Sequence, residues 1–102
     1  MRRAAKTDGN HTEIVTALRN AGFSLFSLAA VGKGMGDVLV GYGGRTFLCE
    51  IKDGSKPPSA RKLTEAQIKF RDSWRGDYTV LESVGDVRDF HEQVCFDLWE
   101  AK

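Results

Sequence analysis

The stretch Asp37-Val38-Leu39-Val40-Gly41-Tyr42-Gly43-Gly44-Arg45-Thr46-Phe47-Leu48-Cys49-Glu50-Ile51-Lys52 decides the fold. Two runs rich in β-forming residues, Asp37 to Tyr42 and Arg45 to Lys52, flank a Gly-Gly pair, and a two-residue connection of this kind predicts a tight hairpin turn. The turn sets the register. Tyr42 opposes Arg45, each further pair follows one residue out on both strands, and Asp37 comes to face Glu50. Side chains directly opposite in an antiparallel pair have Cβ atoms about 4.5–5.5 Å apart, and like charges there repel. A cationic partner is therefore expected between the two acids. Period-two alternation puts Glu50 and Lys52 on one face, while Phe47, Cys49 and Ile51 point together to an apolar one.

Working outward, Ile14, Val15, Ala17 and Leu18 recur at helical spacing after Asn10, a capping residue, and Gly22 marks the end of that first helix. Phe23 to Val31 reads as a strand, followed by the loop Gly32-Lys33-Gly34-Met35-Gly36. Downstream of the hairpin, residues 53–62 form a basic loop with Gly54, Pro57 and Pro58. Thr64 and Gln67 then make a T-x-x-Q capping box, with Leu63 able to staple onto Ile68. Phe70 and Trp74 extend the buried face of this helix to Gly76. Tyr78 to Glu82 is a fourth strand, parallel to its neighbour if the helix is a crossover. Asp86 is the expected cap of a last helix carrying Val87, Phe90, Val94 and Leu98 as an apolar stripe. The order αβββαβα predicts one α/β domain over residues 1–102, a mixed central sheet with helices packed on it, and residues 1–9 as a flexible basic arm.

With 102 residues, 41% of them hydrophobic and 28% charged, the chain has the composition of a folded soluble domain too short for a second core. Its longest apolar-leaning stretch, Phe23 to Val31, is interrupted by serines and falls far short of the ~20 residues of a membrane span. No secretion-signal core follows Arg2, Arg3 and Lys6. A cytoplasmic protein is expected, with Cys49 and Cys95 as free thiols. No nucleotide fingerprint, nucleophile elbow or C-x-x-C pair calls for an organic cofactor. His11 and His91 fall in no metal or triad spacing. Net charge is +1, yet residues 1–76 carry 13 basic and 7 acidic side chains against 2 and 7 in residues 77–102. Such asymmetry predicts a basic face for phosphates and an acidic carboxy-terminal helix turned away from it.

Two carboxylates on adjacent strands, aimed at one point, suit a hard divalent cation such as Mg²⁺, which prefers oxygen ligands. Phosphodiester hydrolysis uses such an ion to polarise the phosphoryl group and acidify water. Lys52, on the same face, could orient the nucleophile or offset charge on phosphorus. The competing reading makes all three ordinary surface charges, with an ion pair worth about 0–1 kcal/mol. Their convergence in one register, beside a Gly-rich loop, favours chemistry.

On Gly36-Asp37 and Glu50-Ile51-Lys52 the sequence resembles the PD-(D/E)XK nuclease superfamily. From Glu13 through Gln67 it looks most like the small stand-alone VRR-NUC proteins of phages and bacteria. The resemblance implies Mg²⁺- or Mn²⁺-dependent phosphodiester hydrolysis by a homodimer acting on branched DNA such as four-way junctions. Asp37, Glu50, the Ile51 carbonyl and Glu13 would be metal ligands, with Lys52 at the nucleophile and Gln67 supporting the site. Gly36 stands where the superfamily usually has proline. Glu13 and Gln67 also have plain helix-capping explanations. Lys33, Lys56, Arg61 and Lys62 are candidate phosphate contacts. The rival functions are a flap nuclease or nuclease subunit of a larger complex, and a non-catalytic nucleic-acid adaptor.

Overall fold

Gly43 and Gly44 both adopt positive φ, +57° and +81°, in the computed structural model, which describes residues 9–101. This backbone turns with the hand that a twisted two-stranded ribbon needs, and it closes β2 (Val38–Tyr42) onto β3 (Arg45–Ile51). The pairs run from Tyr42↔Arg45 to Val38↔Cys49, in the register expected from the turn. β1 (Ser24–Ser27) pairs antiparallel with the outer side of β2, and β4 (Tyr78–Leu81) pairs parallel with β3. The sheet order is β1-β2-β3-β4.

Around this mixed sheet lie α1 (His11–Asn20), α2 (Glu65–Ser73) and α3 (Val84–Glu100), with a short 3-10 turn at Pro58–Ala60. The result is one α/β domain of αβββαβα order. The residues expected to form a basic arm lie, apart from Gly9, outside the described residues. No helix among the described residues is long and apolar enough to cross a membrane.

The odd-numbered residues of β3 face the main core. Phe47, Cys49 and Ile51 are buried with Val38, Val40 and Leu81 against Ile14 and Leu18 of α1 and Val87 and Val94 of α3. Phe90 and Leu98 complete the α3 stripe from the core's edge. The even-numbered face is covered too: Leu48 and Glu50 are buried, and α2 lies over this side, with Phe70 6.0 Å from Tyr78 between ring centroids. β3 is thus a central strand closed on both faces. Acidic α3 and the Glu50 face are on opposite sides of the sheet.

Several element ends differ from expectation for local reasons. β1 stops at Ser27: Leu28 still donates to the Asp37 carbonyl, but its own carbonyl accepts from Val31 N–H in a turn, so the apolar run continues as loop. Phe26, at the sheet's edge, is 69% exposed. The α3 cap is Ser83, whose hydroxyl accepts from Asp86 N–H, while Asp86 accepts from Glu82 N–H. Asn10 occupies the α1 cap position, its carbonyl accepting from Ile14 N–H, but its side chain makes no cap bond; the side-chain amide instead donates to the carbonyls of Lys52 and Glu82. It thereby ties α1 to the ends of β3 and β4. α2 ends at Ser73, and Trp74, expected on a buried face, is 42% exposed.

Candidate active site

The hairpin ladder ends at Val38↔Cys49, one step before the two acids. Gly36, at φ +130°, swings the chain away, a backbone angle closed to proline, whose ring holds φ near −65°. The glycine that departs from the superfamily pattern is therefore what this backbone requires. Asp37 N–H donates to the Cys49 carbonyl at 2.9 Å, and its Oδ2 accepts from Ile51 N–H at 2.7 Å. The side chain takes the ladder partner that a further strand residue would have supplied, which fixes its carboxylate beside β3.

Among the described residues Glu50 is the buried charged side chain, at 4% exposure. A buried carboxylate is costly unless polar partners surround it. Gln67 Nε2 donates to Glu50 Oε1, and Lys52 Nζ lies 3.8 Å from the same oxygen, with the lysine side chain only 12% exposed. Lys52 thus supplies a cation beside Glu50. The Tyr78 hydroxyl is buried without a hydrogen-bond partner among the described residues. Burial first, then the charges of Glu50 and Asp37, push its pKa up to about 12.

Gln67 both caps its helix and bonds Glu50. Its Oε1 accepts from Thr64 N–H at 2.8 Å while Thr64 Oγ1 accepts from Gln67 N–H, closing the capping box, and its amide nitrogen serves Glu50. Thr64→Ala is expected to destabilise the chain by about 0.5–2 kcal/mol. A lower urea midpoint at unchanged slope would show it.

Asp37, Glu50 and Gln67 line one cleft of about 220 Å³ with Gly32, Gly34 and Gly36. Gly34 lets the loop press against the start of α2, where an added Cβ would stand 2.4 Å from the Ala66 carbonyl oxygen. His11 also lines this cleft, a position its sequence context did not suggest, because helix α1 reaches the site through tertiary packing.

No family model, curated protein or solved structure matches the chain.

The other predicted residues fall elsewhere. Glu13 is exposed and lines a separate cleft of about 600 Å³, at the ends of β3 and β4, with Asp53, Glu82 and Asp86. Carboxylates there are engaged locally. Asp53 accepts from the Ser55 hydroxyl and N–H, which hold its pKa below the usual range, Asp86 accepts from Glu82 N–H, and Glu82 pairs with Arg61 at 3.0 Å. Arg61 also donates to the Lys56 carbonyl, so its guanidinium braces the loop after β3. Lys33, at φ +60°, and Lys56 and Lys62 are exposed.

Among the described residues, no three His, Cys, Asp or Glu side chains group to hold a metal. The carboxylate donors that line the 220 Å³ cleft are those of Asp37 and Glu50, with Ile51 and Lys52 outside its lining, so water or phosphate would supply the rest of a cation's shell. That fits Mg²⁺, which keeps several waters and takes few protein ligands.

Proposed function

We propose that this protein is a metal-dependent endonuclease, a VRR-NUC-like member of the PD-(D/E)XK superfamily, that hydrolyses phosphodiester bonds in branched DNA. The observation that carries this reading is Glu50: a buried carboxylate beside Asp37, contacted by both Lys52 and Gln67. Burying a charge in this way lowers stability relative to an apolar residue, so its presence favours a functional explanation over a structural one. The cleft also lies below the ~300 Å³ typical of small-molecule sites, which suits a polymer lying across it.

Asp37, Glu50 and the Ile51 carbonyl would hold Mg²⁺ or Mn²⁺, which when bound supplies the charge that polarises a phosphodiester and acidifies water. Gln67 fixes the Glu50 carboxylate, and the Ile51 N–H fixes that of Asp37, so both are oriented before substrate arrives. The Lys52 ammonium orients the attacking water and offsets negative charge developing on phosphorus. Lys33, Lys56 and Lys62 contact phosphates along the DNA. Acidic α3 lies on the far side of the sheet from the cleft that Asp37, Glu50 and Gln67 line, so its charge does not oppose DNA at that cleft. We further propose a cytoplasmic homodimer, since two symmetric sites suit the two equivalent strands of a four-way junction.

The test is to incubate the protein with end-labelled four-way junction, flap and linear duplex DNA in Mg²⁺. Cutting of the junction with the linear duplex left intact is expected. Cutting of the flap alone would keep the chemistry and replace the substrate. Binding without cutting of any of the three would overturn the reading in favour of an adaptor.

A further inference from the structure

At the turn end of the hairpin, roughly 16 Å along β2 from Asp37, three polar groups converge that the proposed nuclease chemistry does not use. His91 and Cys95 are four residues apart on α3 and so lie one above the other on one helix face. Tyr42, the last residue of β2, reaches both. The His91 Nε2 to Tyr42 Oη distance is 3.1 Å, Cys95 Sγ to Tyr42 Oη is 3.5 Å, and Cys95 Sγ to His91 Nε2 is 3.4 Å. The rings are held in place by packing: Tyr42 lies 4.9 Å from Phe23 and 5.1 Å from His91 between centroids, and Phe23 stacks on Phe90 at 5.2 Å.

Those three edges have the dimensions of a tetrahedral face. Zinc bonds of about 2.0–2.1 Å to imidazole nitrogen and 2.3 Å to thiolate sulfur, with an anionic oxygen taken at the 2.0–2.2 Å of a carboxylate ligand, put the edges between ligands at roughly 3.3–3.6 Å. The observed triangle needs its edges to lengthen by about 0.1–0.3 Å to match. An imidazole nitrogen with a thiolate sulfur selects a borderline-soft ion over Mg²⁺. We propose that Tyr42, His91 and Cys95 form a second cation site, for Zn²⁺ or an ion of like softness, which pins the hairpin turn to α3. Cys95 binds as thiolate and Tyr42 as phenolate, each giving its proton to solvent, with His91 Nε2 as the third protein donor and water at the fourth vertex. The other cysteine, Cys49, is fully buried in the core and is no competitor for the ion.

The site is independent of the nuclease reading, and Co²⁺ tests it because thiolate coordination gives a charge-transfer absorption that an all-oxygen site does not. Titration of the intact protein is expected to produce that band and tetrahedral visible bands, saturating at one ion per chain and abolished by added Zn²⁺. Cys95→Ser and His91→Gln should each lose the charge-transfer band, while Glu50→Gln keeps it. Absence of the band in the unsubstituted protein, or its persistence in Cys95→Ser, would overturn the proposal. The first of these needs no variant to fold.

Discussion

Glu50→Gln lowers Mg²⁺-dependent cleavage by a factor on the order of 10²–10³, the usual cost of removing one preorganised charge-stabilising group from a reacting centre. The substitution changes charge with almost no change of shape. Its amide oxygen still accepts from Gln67 Nε2, so α2 keeps its seat on the sheet. What disappears is the anionic ligand, and with it the focus for a hard cation. Two readouts should move together: initial cleavage rates fall, and the rise in melting temperature that Mg²⁺ gives the parent protein vanishes, since a ion that binds only the folded state stabilises it. Circular dichroism should stay unchanged. A variant that cut at the parental rate would remove Glu50 from the chemistry.

Gly34→Ala destabilises the chain by about 1–3 kcal/mol and slows cleavage by about 10²-fold, acting on the site from outside it. Two costs combine. Gly34 sits at φ +74°, in the left-handed region, and an added methyl would stand 2.4 Å from Ala66 O and 2.7 Å from Gln67 N, all backbone that cannot step aside as a side chain would. The loop must lift off the start of α2, moving the wall of the cleft and the helix turn that presents Gln67 to Glu50. Gly32→Ala is the control. It shares the positive φ, at +69°, but an added methyl there meets nothing within 4 Å. Denaturant melts and single-turnover rates of the two variants should separate the conformational cost, common to both, from the collision, which only Gly34→Ala suffers.

The hairpin was legible in the sequence because its information is local: two glycines demand a two-residue turn, and the turn then dictates every pair along both strands. The capping box at Thr64 and Gln67 was legible for the same reason. Asn10 was not. Helix grammar assigns it to its own first turn, but its amide binds carbonyls 42 and 72 residues away, where tertiary packing offers partners that local spacing does not reveal. Similarly, Ser83 rather than Asp86 caps α3, since either can start a helix and the end of β4 decides which. In the candidate site, the register carried Asp37 and Glu50 to one cleft, although the ladder stops at Val38↔Cys49, one pair short of them. The burial of Glu50 did not, because it depends on α2 folding over the even-numbered face of β3. Glu13 shows the converse: the family resemblance brought it under consideration, and packing put it in a different cleft.

The measurement that bears most directly on the central claim is the rate at which the parent protein cuts labelled branched DNA, first in EDTA and then after Mg²⁺ is added in excess, with Asp37→Asn alongside. No cutting in EDTA, cutting restored by Mg²⁺, and none by folded Asp37→Asn is the predicted result. Cutting that persists in EDTA, or equal cutting by Asp37→Asn, would contradict a metal-dependent centre built on Asp37, Glu50 and Lys52.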